Sequence, residues 1–277
     1  MPFVLRSSLA GVRHVVVGAC LATALPVASP AQGEAKPIMD NSFLVEEAYN
    51  QEPGVVQHVS TFVHTQDLEG WLATFTQEWP WQSQRHQLSF TVPVMHDGSE
   101  GGIGDIAIHY RRQLRHLHPQ LAIAPRLSLI LPTGRRAFDR GKGSPGIEVA
   151  LPISYVLNSR FVGHTNGGMT LTPAAKGLDG SSDALMETFI GQSLIFLAHT
   201  NINVLAEIAW GVEESVVTHG VVDRSQSFFF APGVRGAINL SSGMQIVPGL
   251  AVPIGLGPSE GDRALFVYLS VEHQFGR

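Results

Sequence analysis

The chain ends on the stretch ALFVYLSVEHQFGR, residues 264–277, in which apolar and polar side chains alternate. Successive side chains of a β-strand point to opposite faces, so this alternation predicts a strand with one apolar face and one polar face. The apolar face would carry Leu265, Val267, Leu269, Val271 and Phe275. The polar face would carry Ser270, Glu272 and Gln274. Such a strand needs an apolar environment on one side and a polar one on the other.

The same period of two recurs from Val55 onward, in segments long enough to cross a bilayer as tilted strands, which takes roughly 9–11 residues. The candidate strands are 55–65, 71–81, 86–95, 104–115, 120–132, 147–158, 160–172, 187–199, 201–213, 226–239, 244–256 and 264–275. Their number is even, as expected for a closed antiparallel barrel whose two ends lie on one side. Prolines inside the candidates indicate bulges or bends, at Pro93, Pro125, Pro152, Pro232, Pro248 and Pro253.

The connections between these candidates alternate between short and long. The long ones are rich in glycine and charge, as in TGRRAFDRGKGSPG at 133–146. Outer-membrane barrels have this asymmetry, with short periplasmic turns and longer outer loops. In lipid, a closed barrel also satisfies every backbone N–H and C=O group. The sequence therefore predicts an all-β, closed antiparallel transmembrane barrel of about twelve strands.

Composition agrees with a membrane barrel and argues against a nucleic-acid-binding protein. The 277 residues are 44% hydrophobic and only 15% charged, against about 25% charged in ordinary soluble domains. A net charge of −5 without a basic stripe argues against nucleic-acid binding. The single cysteine, Cys20, falls within the N-terminal region, so a processed chain would contain no disulfide.

The N-terminus predicts export. Arg6 and Arg13 precede an apolar run that ends at small residues near Ala31, the layout of a signal peptide. We predict three parts: a signal peptide at 1–31, a periplasmic or plug segment at 32–54, and the barrel at 55–277. A short helix is expected over 42–51, capped by Asp40 or Asn41. The sequence leaves open whether this segment is a plug, a gate or a linker.

The polar faces of the strands predict a lumen with charges of both signs. The candidate lumen-lining residues are Asp105, His109, Arg111, Gln113, Arg126, Glu148, Asn203, Glu207, Arg235, Asn239 and Glu272. They suit either a polar conduit that selects solutes or a packed interior held shut by ion pairs.

Two further groups are defined by position. Aromatic residues near strand ends predict interfacial girdles, at Trp71, Trp79, Trp81, Tyr155, Trp210 and Phe275. A basic outer loop could contact lipopolysaccharide phosphates or simply be solvated; its cations are Arg135, Arg136, Arg140 and Lys142.

Three stretches carry a family resemblance: residues 40–58, GIGDIAIHYRRQL at 102–114, and APRLSLILPTGRR at 124–136. They resemble the outer-membrane transporter family of the MetA pathway of phenol degradation. The matching positions, with a structural role, are Gly102, Gly104, Asp105, Pro132, Thr133 and Gly134. The resemblance implies a barrel that passes small, often aromatic or apolar, compounds.

We therefore expect passive transport across the outer membrane of a Gram-negative bacterium, with no catalytic residue, metal or cofactor. The expected partners are outer-membrane lipid and lipopolysaccharide, a small solute, and the barrel-assembly machinery, which would recognise the last strand. The alternatives are a lipid hydrolase, for which HTN at 164–166 is a weak indication, and a structural barrel.

Overall fold

The computed structural model describes residue 38 and residues 40–65, 70–114 and 119–275. Within them, twelve antiparallel strands form one closed sheet, because the last strand pairs with the first. The predicted all-β barrel is thereby confirmed. The predicted signal peptide and the final two residues lie outside the described residues.

The strands, in chain order, have the following bounds. They are β1 Val55–Thr65, β2 Trp71–Trp81, β3 Ser83–His96, β4 Gly101–Ile103 with Ile106–Arg112, β5 Leu121–Ile123 with Arg126–Leu131, β6 Gly146–Ala150 with Ile153–Asn158, β7 Phe161–Lys176, β8 Ser182–His199, β9 Ile202–Thr218, β10 Val221–Gly236 with Ile238–Asn239, β11 Gln245–Ala251 with Ile254–Gly255, and β12 Ala264–Gln274. Single 3-10 turns occupy Arg136–Phe138 and Gly257–Ser259.

The seam between β1 and β12 is complete. It pairs residues antiparallel from Val55 opposite Gln274 to Thr65 opposite Ala264. Along β12 exposure alternates strictly from Ala264 to Ser270, with Leu265 exposed and Phe266 buried. The terminal strand is thus part of the wall, with one face outward and one face inward.

The outer surface of the wall is apolar. Large aliphatic side chains project outward from strands all around the barrel, for example Leu127, Leu129, Ile147, Val149, Ile208, Val234, Leu250 and Leu269. A water-facing surface of this kind would be unfavourable, whereas a lipid-facing one is expected. Among the described residues, no helix is both long enough and apolar enough to cross a bilayer.

Strands β7 to β10 extend further than the alternation predicts. They run to Lys176, Ser182, Thr218 and Val221 at the end of the barrel that carries the long loops. Most residues of β10 before Ser227 are exposed on both faces. A strand above the bilayer needs no apolar face, so hydrophobic periodicity does not mark it.

The in-strand prolines fall into two groups. Pro125, Pro152 and Pro253 lie at breaks between two segments of one strand, as predicted. The other prolines lie within continuous strands, at Pro93, Pro232 and Pro248. For Pro248 the reason is local: its pairing with β10 stops at Gly249, so no ladder bond requires its missing N–H.

The segment preceding β1 runs inside the barrel. We call residues 40–52 the plug segment. The helix predicted over 42–51 does not form, and one turn closes instead where Ser42 N–H donates to the Val45 carbonyl at 3.0 Å. The helical prediction was wrong because side chains of the wall bind the N–H groups that a helix would use internally.

Candidate functional site

The tip of the plug segment is held at mid-height by strands β8 and β9. The carboxylate of Glu207 accepts hydrogen bonds from the N–H groups of Phe43, at 3.1 Å, and Leu44, at 3.2 Å. The hydroxyl of Ser42 donates to that of Ser193 at 2.8 Å. A fully buried acid on the wall therefore binds two backbone donors that water does not reach.

The rest of the plug segment descends toward the end with the short turns. Three more of its N–H groups donate to wall side chains: Ala48 to Ser154 at 2.8 Å, Asn50 to Gln113 at 3.1 Å, and Gln51 to Gln87 at 2.8 Å. The wall thus supplies polar acceptors along most of the segment, which makes the segment an integral part of the interior.

A charge network joins the plug segment to the wall. Glu46 contacts Arg111 at 3.0 Å with one oxygen and Arg126 at 2.6 Å with the other. Arg126 also pairs with Glu148 at 2.6 Å, and Arg111 lies 3.7 Å from Glu78. Burial opposes ionisation of Glu46, but the two guanidiniums outweigh it and hold its pKa below the usual value. Glu46 is therefore a carboxylate bridging two arginines.

Arg111 binds the backbone of the plug segment as well. Its guanidinium donates to the carbonyls of Glu47, at 2.9 Å, and Tyr49, at 2.6 Å, and to the Asn50 side chain at 2.9 Å. Only 2% of Arg111 is exposed. It is thus the main anchor of the segment.

An aromatic contact fixes the tip. The Phe43 ring lies 5.6 Å from that of Phe266 and 5.7 Å from that of Tyr268, both on β12. On the opposite side the ring lies over two glycines of neighbouring strands. A Cβ atom at Gly233 would lie 2.4 Å from Phe43, and one at Gly249 would lie 2.5 Å from it. These glycines leave the space that the ring fills.

The start of the plug segment is bound near the seam. Asp40 accepts hydrogen bonds from the Tyr268 hydroxyl at 2.6 Å and from Gln57 at 2.7 Å. Arg235 donates to the backbone carbonyls of Asp40 and Asn41. Burial raises the pKa of Asp40 despite these contacts.

Glu47 lies among these groups. Burial, with the charge of Asp40 second, raises its pKa to about 8, although the guanidiniums of Arg111 and Arg235 oppose the rise.

Above the tip lies a cavity of about 210 Å³, which we call the outer cavity. Part of its lining is apolar and includes Phe43, Leu44, Val63, Leu72 and Phe266. Another part carries hydroxyl groups, at Thr61, Thr74, Thr76, Ser89 and Thr91. Glu46 and Arg126 also line the cavity. Its lining therefore offers both apolar contact and hydrogen bonds.

The hydroxyl groups of Thr76 and Thr91 belong to a chain of hydrogen bonds that runs to Glu148. Thr76 contacts Thr91 at 2.8 Å, Thr91 contacts Nε2 of His109 at 3.1 Å, and Nδ1 of His109 contacts Ser128 at 2.7 Å. Ser128 donates to the Glu148 carboxylate at 3.4 Å. Because Ser128 donates onward, His109 donates from Nδ1 and accepts at Nε2. Neighbouring strands are thus linked at the level of the cavity.

Ser154 and His164 tie the plug segment to β6 and β7. The Ser154 hydroxyl lies 2.7 Å from Nδ1 of His164 and also binds the N–H of Ala48. Both side chains are fully buried in the lumen. The pair therefore connects the wall with the plug segment.

The outer basic loop is folded onto the barrel. Asp105 accepts from the N–H groups of Gly134 at 2.9 Å and Lys142 at 2.8 Å. The Lys142 ammonium contacts Glu187 at 2.7 Å, and Arg140 is buried. Arg136 contacts Asp139 and the backbone carbonyl of Lys176. Of the four predicted cations, Arg135 is the exposed one.

The structure brings part of the predicted lumen set together. Six of its residues join the contacts described above: His109, Arg111, Gln113, Arg126, Glu148 and Glu207. Arg235 binds the backbone at Asp40, at the start of the plug segment. Asp105 lies under the outer loop. Asn203 is buried, while Asn239 and Glu272 are half-buried at the short-turn end, where Asn239 binds Asn201 and Gln245.

The predicted girdle residues occupy varied positions. Trp71 stacks on His96 at the long-loop end of β2, and Trp81 meets Tyr110 edge-on at the other end. Trp79 packs against Phe90, and the Tyr155 hydroxyl accepts a hydrogen bond from Gln192. Trp210 lies near the centre of β9 because that strand extends beyond its predicted end, and Phe275 is exposed after β12.

Sequence reasoning missed Glu46 and Glu78 as members of the site. Glu78 follows Leu72, Thr74 and Thr76 at a spacing of two, so alternation along β2 could have identified it. Glu46 precedes the strands, and only the path of the plug segment places it between the arginines. In the described part of the chain, no group of three or more His, Cys, Asp or Glu side chains is arranged to hold a metal.

A closed twelve-stranded barrel with an apolar exterior and a charged interior defines an outer-membrane channel fold. Residues 49–172 match the family model described as "Putative MetA-pathway of phenol degradation". This match confirms the family resemblance predicted from the sequence. No curated protein matches the sequence.

Solved structures of porins share the fold. An outer membrane channel from Pseudomonas putida F1 is 13% identical with a TM-score of 0.62, over 82% of this chain and 98% of that one. The NanC porin is 6% identical with a TM-score of 0.54, over 79% and 100%. The KdgM porin is 6% identical with a TM-score of 0.50, over 79% and 99%. At these identities the likeness concerns the fold.

Proposed function

We propose that this barrel is a passive outer-membrane channel for small molecules, and that the plug segment closes it on the periplasmic side. The observation that carries the proposal is the polar attachment of the plug segment. Its backbone binds Glu207, Ser154 and Arg111 through hydrogen bonds, which water can replace when the segment leaves. A structural barrel would be filled more simply by the side chains of its own wall.

The outer cavity supports small, aromatic or apolar solutes that carry a hydrogen-bonding group. Leu72 and Phe266 offer apolar contact, while Thr74 and Thr91 offer hydroxyl groups. The cavity of about 210 Å³ exceeds the roughly 150 Å³ that holds benzene in an engineered apolar site. A single-ring molecule therefore fits.

Liposome swelling tests this proposal with two proteins, the full barrel and a variant lacking residues 41–51. The variant should swell faster than the full barrel with phenol-like solutes, because removal of the plug segment leaves a continuous lumen. A sugar of similar mass tests whether the apolar lining of the cavity favours phenol-like solutes over sugars. Swelling no faster than empty liposomes, from a variant that still migrates as a folded barrel, would refute the channel.

The lipid-hydrolase alternative makes a separate forecast. Detergent-solubilised protein would release fatty acid from phospholipid, and His164→Ala would abolish the release. The burial of Ser154 beneath Ala48 favours no release in either protein.

A further inference from the structure

Glu46 occupies the position of a bound anion. Its two oxygens contact two different guanidiniums, those of Arg111 and Arg126, as the two oxygens of a solute carboxylate would. The residue belongs to the plug segment, whereas both arginines belong to the wall. Departure of the segment would therefore leave two buried arginines without one of their carboxylates, which is costly.

The two arginines differ in their other partners. Arg111 is surrounded by the plug segment and donates to the carbonyls of Glu47 and Tyr49. Arg126 lines the outer cavity, and its Nε finds no hydrogen-bond partner among the described residues. Its side chain is 9% exposed. A donor that is buried, unbonded and adjacent to a cavity indicates a place for an acceptor from a ligand.

Glu46 also lines the outer cavity. A solute that enters from outside therefore meets the contact between Glu46 and Arg126 before it meets Arg111. Arg126 also contacts Glu148, at 2.6 Å. It would therefore still have a carboxylate partner while Glu46 is exchanged for the carboxylate of a solute. A carboxylate arriving with its apolar part against Phe266 would restore the lost contact.

We propose that Arg126 is a binding site for the carboxylate of a small organic acid, which displaces Glu46 and thereby releases the plug segment. The site favours monocarboxylates with an apolar body over neutral molecules of the same shape. The proposal rests on the proposed function and adds to it a solute class and an opening mechanism.

Release of the plug segment can be followed by chemical labelling. Leu44→Cys places a thiol at the tip, beside the outer cavity, and Cys20→Ser removes the only native cysteine. The full chain is reconstituted in liposomes and labelled with a maleimide, without addition, with benzoate, or with benzamide. Benzamide has the shape of benzoate and no charge.

Benzoate should accelerate labelling about ten-fold at saturation, as expected for one exchanged charge-assisted contact, and benzamide should not. In Arg126→Gln the benzoate effect should disappear. Equal labelling with both compounds, or no acceleration with either, would overturn the proposal.

A second measurement does not depend on Arg126→Gln folding. Benzoate binding is measured by calorimetry on the detergent-solubilised chain. Glu46→Gln should bind benzoate about ten-fold more tightly, because the internal competitor has lost its charge. The matched control Glu52→Gln lies in the same segment but is exposed, and should bind like the unmodified chain. Unchanged affinity in Glu46→Gln contradicts the exchange.

The two proposals fail in different ways. If solutes do not cross even when residues 41–51 are deleted, the channel function fails. If solutes cross and benzoate behaves like benzamide, only the carboxylate site fails.

Discussion

Single residues determine whether the lumen accepts the plug segment. The Phe43 ring needs the space that glycine leaves at Gly233 and Gly249, and it packs against Phe266 and Tyr268 on the other side. Alternation in the sequence predicted which wall residues face inward. It could not predict this fit, because the fit joins a residue before the first strand to residues 190 to 225 positions later.

We expect Gly249→Ala to weaken docking of the plug segment. The added Cβ would lie 2.5 Å from Phe43, and the ring must move away. Overpacking of this kind typically costs about 1–3 kcal/mol. The population of released segment, and with it the labelling rate at Leu44→Cys, should rise by roughly ten-fold. Gly167→Ala serves as a control, since its Cβ would meet no atom closer than 3.6 Å and its backbone is outside the left-handed region. A docked segment in Gly249→Ala would show that the ring has more room than the structure gives it.

At the scale of elements, the plug segment is the unit that we propose moves, and its buried acids should make its docking sensitive to pH. The pKa of Glu47 is raised from 4.5 to about 8, by burial first and by Asp40 second. The docked segment therefore holds this proton more tightly than a released segment does. The contribution of Glu47 to docking is therefore full below about pH 4.5 and is lost as the pH rises through 8.

Ion conductance in planar bilayers should accordingly increase between about pH 5 and about pH 9. Glu47→Gln should reduce the increase, and Asp40, whose pKa is also raised, should contribute to the rest. The charges that face Glu47 are those of Asp40, Glu78, Arg111 and Arg235, so their protonation enters the same measurement. Conductance independent of pH would mean that the segment stays docked when Glu47 ionises.

The strands show what the sequence could predict at this scale. The bounds of β1 and β2 agree with their alternation residue for residue. Strands β7 to β10 were predicted too short, because their outer parts do not face lipid and therefore show no hydrophobic alternation. The helix over 42–51 was predicted wrongly because the N–H groups of Ala48 and Asn50 bind wall side chains that are distant in sequence.

For the whole molecule, the apolar exterior and the complete seam predict a barrel that is stable only with its outer face in lipid or detergent. Leu269→Arg places a charge on that face, near the middle of β12. It should cost roughly 2–4 kcal/mol and reduce the fraction whose gel migration shifts on boiling. Asp223→Arg, exposed on the outward extension of β10, should leave that fraction unchanged. Equal effects of both would place the exterior of β12 in water.

The complete seam also sets an order of events. The plug segment is made before any strand, yet its partners are spread from Gln57 on β1 to Tyr268 on β12. Its full set of partners exists only after the last strand has closed against the first. We therefore expect each newly made molecule to pass through an open stage before the plug segment docks.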